Sequence, residues 1–174
     1  MVQSGGTADT IREAGPIILG WKEYLDLPEL GLRRLKVKID TGARTSTLHV
    51  ASFRILAEQE GGTADLELSL PYDRRHPERS TTARATMLRL VTVTDSGGHP
   101  EVRPLIATEM VLGPVRKPIF LTLTDRSAML FRMILGRKAL EGDFLVDVAQ
   151  KYTQRRFHPP PSGGRSRRRP GGRA

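Results

Sequence analysis

The sequence predicts an all-β fold, a small closed barrel with one short C-terminal helix. Three observations lead there. Short apolar or alternating runs recur at regular spacing through the chain. Gly- and Pro-bearing turns such as Gly61-Gly62 and Gly97-Gly98 separate them. No long amphipathic helix and no internal repeat interrupts the pattern. Many short strands of this kind close into a barrel or pack as a sandwich.

The first 15 residues are small and polar, without periodicity, and are expected to be disordered. Ile17-Ile18-Leu19 begins a first strand, and Gly20-Trp21 turns it. Trp21, the one Trp, is expected in the core or at an edge rather than stacked on a ligand. Residues 26–31 carry Pro28 and Gly31 and read as a turn. Residues 35–39 form a strand, and residues 45–57 read as one further strand rich in β-branched and apolar side chains. Residues 64–70 alternate, with Leu66, Leu68 and Leu70 on one face and Glu67 and Ser69 on the other. Residues 71–82 read as a loop, either a flap over a cleft or a solvated surface segment.

Residues 83–94 and 101–108 form the clearest hairpin, around the turn at 95–100. Residues 109–112 and 118–124 pair around Gly113-Pro114. Residues 137–142 make the short helix, stopped by Gly142, and residues 144–148 the last strand. A single domain over residues 16–152 follows, with residues 153–174 as a disordered tail of Pro, Gly, Ser and Arg.

The net charge of +9 describes that tail. Eight basic residues and no acids occur from Lys151 onward, which leaves +1 for residues 1–150. The expected domain is therefore nearly neutral, which argues against a nucleic-acid-binding face; the tail is expected to make weak polyanion contacts. Cys is absent, which rules out disulfides, a thiol nucleophile and a Cys-based zinc site. No apolar run has secretory or membrane-spanning length, so a cytoplasmic protein is expected.

The chemistry concentrates at Asp40-Thr41-Gly42-Ala43-Arg44. A carboxylate stands here at the tip of a strand, before a Gly that permits a tight backbone turn beside N–H groups. This segment resembles the active-site turn of retropepsin-like aspartic proteases. Ile134-Leu135-Gly136-Arg137 resembles the segment that ends the same fold and packs under that turn. The resemblance extends to a bacterial family long labelled ATP-dependent zinc proteases, now regarded as retropepsin-like and associated with ATP-grasp peptide ligases. It is carried by Leu19-Gly20-Trp21-Lys22-Glu23-Tyr24, Leu27-Pro28-Glu29-Leu30-Gly31, Leu48-His49, Glu101-Val102-Arg103-Pro104-Leu105-Ile106, Leu123-Thr124-Asp125-Arg126 and Phe131-Arg132-Met133.

The resemblance implies an aspartic-type peptidase in which Asp40 activates water and a second copy of the chain supplies the other Asp40. Thr41 and Gly42 complete the catalytic turn, and Ala43 and Arg44 border the substrate. Ile134, Leu135, Gly136 and Arg137 support the turn from beneath. Viral members carry an acid at the place of Arg44, paired with the Arg after the Gly. Two arginines cannot pair, so Arg137 needs another acid or Arg44 points elsewhere. Arg44 either reaches into the cleft, favouring acidic peptides, or forms an ion pair with Glu101, Glu109 or Asp125. His49 is a candidate for orienting a neighbour; His76, His99 and His158 are expected to be solvated.

The family label raises zinc and ATP. No His-Glu-x-x-His motif and no Gly-Lys-Ser/Thr phosphate loop occurs, so no metal and no cofactor is expected. The alternatives to a peptidase are a catalytically silent peptide-binding module and an accessory partner of an ATP-grasp ligase.

Overall fold

The computed structural model describes residues 15–71, 79–94 and 97–160. Among these residues eleven strands follow in order: β1 (Ile17–Gly20), β2 (Lys22–Leu27), β3 (Leu32–Asp40), β4 (Ser46–His49), β5 (Ser52–Glu58), β6 (Ala64–Pro71), β7 (Ser80–Thr94), β8 (Pro100–Leu112), β9 (Val115–Thr124), β10 (Met133–Gly136) and β11 (Phe144–Asp147). The one α-helix among the described residues, α1 (Arg137–Leu140), is a single turn.

Nine strands form one sheet in the order β2-β3-β10-β4-β9-β8-β7-β6-β5. Asp26 of β2 pairs with Val111 of β8, which closes the first six into the barrel expected from the sequence. Closure removes edges along those strands. β7, β6 and β5 extend the sheet beyond the barrel, and β1 and β11 pair in parallel as a separate two-stranded sheet. The core is aliphatic, built from Leu25, Leu48, Leu66, Leu68, Leu70, Ile106, Leu121 and Leu135, all fully buried. The alternation of β6 matches expectation, with its three leucines inward.

Several boundaries differ from the sequence expectation. Residues 45–57 are two strands. β4 is buried throughout and pairs with β9 and β10, whereas β5 is exposed throughout and pairs with β6. The chain changes partner between them: Val50 N–H donates to the Thr124 carbonyl and Ala51 N–H to that of Ser69. Most of the expected loop at 71–82 lies outside the described residues, but residues 80–82 are already strand. β8 runs unbroken to Leu112, where Leu112 opposes Val115 across the turn at Gly113.

Strand β2 was not expected. Its inward positions are Glu23, Leu25 and Leu27, and a charged residue in that series masks the alternation. Glu23 is fully buried yet well satisfied. Its carboxylate accepts from Gly20 N (2.8 Å), Thr153 N (2.9 Å), Thr153 Oγ1 (2.7 Å) and Gln154 N (3.2 Å). Buried charge is tolerated where donors replace water.

The last two of those residues lie beyond the domain boundary expected at 152. Residues 153–158 pack against the barrel, ending in a short 3-10 turn at Arg155–Phe157. His158, expected to be solvated, is buried, and its Nε2 accepts from Gly113 N (3.1 Å). The rest of the tail, residues 161–174, lies outside the described residues, as do residues 1–14 and His76.

Candidate active site

Strand β3 delivers Asp40 to the barrel end. β10 runs parallel beside it, with Leu135 opposite Ile39 and Gly136 opposite Asp40. The two segments singled out in the sequence, some 96 residues apart, are therefore neighbours. Leu135 and Gly136 are buried, and Ile134 is partly so.

The turn is fixed from several sides. Asp40 Oδ1 accepts N–H groups from Gly42 (3.1 Å) and Ala43 (3.2 Å). A Cβ on Gly42 would stand 3.3 Å from that oxygen. The Ala43 carbonyl accepts from Arg137 N (2.9 Å) and the Arg44 carbonyl from Lys138 N (3.1 Å), so α1 starts on the turn. Gly136 N donates to Ser46 Oγ (3.0 Å). A Cβ on Gly136 would meet the Thr45 carbonyl carbon at 2.8 Å and the Arg44 carbonyl oxygen at 2.9 Å, so only Gly fits.

Arg137 needs no acid. Its Nη1 donates to the carbonyl oxygens of Thr41 (2.8 Å) and Gly42 (2.9 Å). Of the two alternatives read from the sequence, another acid for Arg137 or an Arg44 that points elsewhere, no acid is found on Arg137 among the described residues: main-chain oxygens facing the guanidinium serve instead. Arg44 is exposed and makes no ion pair among the described residues. Of its three proposed partners, Glu101 binds Arg103, Glu109 binds Arg116, and Asp125 lies beside His49.

Asp40 remains partly exposed, with Lys38 Nζ 3.7 Å from its Oδ2. A second cation stands nearby. Arg126 is half-buried; burial lowers its basicity first, the adjacent Arg103 lowers it further, and the Asp40 carboxylate opposes both. Arg126 Nε donates to the Phe131 carbonyl (3.4 Å). The Phe131 ring packs edge-on against Trp21 (6.1 Å), and the Trp21 carbonyl accepts from Ile39 N (2.9 Å). Trp21 thus lies at an edge, as expected, and links this loop to β3.

Sequence reasoning assigned no role to Lys38, Arg103 or Arg126. All three lie in or beside segments that carried the family resemblance, but only folding brings Lys38 and Arg126 within electrostatic reach of Asp40, and Arg103 within reach of Arg126. His49 is buried, and its Nδ1 accepts from Arg126 N (2.8 Å). Burial holds this imidazole below its ordinary range; Asp125 opposes that, and Arg132 adds to it. Among the described residues no group of three or more His, Asp or Glu is arranged to hold a metal ion. No described helix is long and apolar enough to cross a membrane.

Comparison with known proteins bears on the fold and the family. The family described as RimB-like, "Retropepsin-like aspartic endopeptidase RimB", matches residues 18–157. A "Probable alpha-L-glutamate ligase" of Parasynechococcus marenigrum is 38% identical over 136 residues, 75% of this chain and 28% of that protein. One of the same description from Shewanella pealeana is 32% identical over 142 residues, 78% of this chain and 29% of that protein. The chain thus spans less than a third of the length of these curated relatives. A Legionella pneumophila protein of unknown function has a crystal structure that superposes with a TM-score of 0.66 at 25% identity, covering 80% of this chain and 99% of that one. A barrel carrying the Asp-Thr-Gly-Ala turn on β3, buttressed by Leu135-Gly136-Arg137, and a family match over residues 18–157 place this chain in the RimB-like family of retropepsin-like proteins.

Proposed function

We propose that this chain is an aspartic-type endopeptidase acting on acidic peptides. Asp40 carries the reading: a partly exposed carboxylate whose one oxygen is held by two turn N–H groups and whose other lies 3.7 Å from Lys38 Nζ. One carboxylate cannot do the chemistry alone. An aspartic peptidase needs two that share a proton, because like charges so close cannot both ionise. One takes a proton from water as the water oxygen attacks the scissile carbonyl carbon. The other gives its proton to the carbonyl oxygen. The pair titrates as a unit.

The second Asp40 comes from a second copy across a two-fold axis, in an isologous homodimer. Thr41 braces the paired turns, Gly42 lets substrate backbone approach, and Ala43 and Arg44 border the substrate. Lys38, Arg44 and Arg126 supply the positive surroundings that an acidic peptide would meet. The compartment is the cytoplasm.

The test is hydrolysis of glutamate-rich peptides by the purified chain and by Asp40→Asn, with sedimentation of both. The expected result is a dimer in each case and cleavage by the wild type alone. Cleavage by Asp40→Asn at the wild-type rate would overturn the assignment.

A second reading has its own support. The matched relatives are named as ligases, and the match occupies only 28% of one such protein. A partner role beside an ATP-grasp ligase follows, in which this domain binds or trims the ligase product. Co-purification with such a ligase, with and without Asp40→Asn, separates binding from trimming.

A further inference from the structure

We propose that Arg126 is a specificity-determining residue of this cleft, binding a substrate carboxylate beside Asp40, and that His49 is its positioning residue; the effect on turnover rests on the peptidase reading above. Besides Arg44, exposed on the turn itself, Arg103, Arg126 and Arg137 lie at this end of the barrel, and two of these three are committed. Arg103 grips Glu101 through Nε (2.9 Å) and Nη2 (2.6 Å). Arg137 is spent on the carbonyls of Thr41 and Gly42. Arg126 uses only Nε, on the Phe131 carbonyl. Its two Nη amines have no partner among the described residues. A half-buried guanidinium next to another arginine, with no carboxylate in contact, is an anion site in waiting. Two Nη amines match one carboxylate.

The direction of Arg126 is set by its main chain. His49 Nδ1 accepts the Arg126 N–H at 2.8 Å, and Asp125 Oδ1 accepts the Ser127 N–H at 2.7 Å. Both sides of residue 126 are therefore tied. The His49 bond requires an unprotonated Nδ1, and burial favours the neutral ring. The groups facing His49 are Asp125, Arg126 and Arg132. His49 does not touch the turn that holds Asp40; it acts through Arg126.

The test uses the full chain and two peptides that differ only in Glu or Gln beside the cleaved bond. It adds binding of a fluorescent tetraglutamate peptide to the Asp40→Asn protein, which needs no turnover. Arg126→Gln should lower kcat/KM for the Glu peptide about tenfold, as expected for a lost charge-assisted bond, and leave the Gln peptide within about twofold. In the Asp40→Asn background it should weaken tetraglutamate binding by a similar factor. Equal loss on both peptides, no loss on either, or unchanged tetraglutamate binding would overturn the role of Arg126. If the wild type cleaves neither peptide, the peptidase reading fails, and the binding arm alone decides Arg126.

For His49, the Asn variant keeps an acceptor near Nδ1 and should retain the Glu-over-Gln preference, whereas His49→Leu should lose it. In wild type that preference should also fall on acidification as the ring protonates, and fall less in His49→Asn. Matching pH profiles for wild type and His49→Asn, or an undiminished preference in a folded His49→Leu, would leave His49 as packing only.

Discussion

Arg137 Nη1 lies 2.8 Å from the carbonyl oxygen of Thr41, and the same nitrogen reaches Gly42 O at 2.9 Å. A cation on α1 therefore clamps the turn that carries Asp40 through its backbone, with no carboxylate between them. Arg137→Ala should cost about 1 kcal/mol of stability, since the group is exposed and its bonds compete with water. Activity should fall by far more, because the turn that aims Asp40 loses its outer support. Urea unfolding and peptide kinetics on one preparation check this. Arg137→Lys should recover part of the stability and little of the activity, as a point charge cannot copy the planar fork.

Gly136→Ala is expected to be among the most harmful single-methyl additions. The new Cβ meets main-chain atoms of Arg44 and Thr45 below 3.0 Å, and backbone cannot rotate aside as a side chain can. Overpacking of this kind costs roughly 1–3 kcal/mol, occasionally more. The displaced turn carries Asp40, so loss of hydrolysis should accompany the fall in melting temperature. The same change at Gly31, where nothing lies within 4 Å, is opposed only by its positive φ and should leave activity intact.

The C-terminal segment at 153–158 should prove part of the domain. A chain ending at residue 160 should melt with the full-length protein. One ending at 152 removes three of the four donors to Glu23 and the His158 contact to Gly113. A buried carboxylate stripped of donors costs on the order of 3 kcal/mol. Glu23→Ala reverses the fault, leaving donors without an acceptor, and hydrogen exchange should then rise across residues 150–158. Thermal scans and exchange mass spectrometry check both.

Stability should fall on mild acidification through His49. Burial lowers its folded pKa beneath 6.5, so the unfolded chain takes up the proton first. The stability of the neutral buried ring is fully present above the unfolded value and is lost as pH falls through the folded one. His49→Asn cannot titrate, so it should remove this part of the pH dependence. Unfolding free energies of both proteins from pH 8 to pH 5 provide the measurement.

The sequence by itself determined the barrel class, the hairpin at Gly61-Gly62, the pairing about Gly113, the helix after Gly136 and the family to which the Asp40-Thr41-Gly42-Ala43 turn belongs. Each depends on residues close together in the chain, where a turn glycine or an alternating run has its effect within a few positions. Even there, the single strand read over residues 45–57 hid a change of partner at Val50 and Ala51, because β-branched and apolar residues suit a buried and an exposed strand alike. Tertiary structure alone decided that Arg137 holds carbonyls rather than an acid, that Glu23 and His158 lie inside, and that Arg126 stands beside Asp40. The physical reason is common to all three. A charged or polar side chain takes its place from donors and acceptors that strand register brings in from far along the chain, as Thr153 reaches Glu23 across 130 residues. Local pattern records which side chains a strand carries, and only the closed sheet determines what they meet.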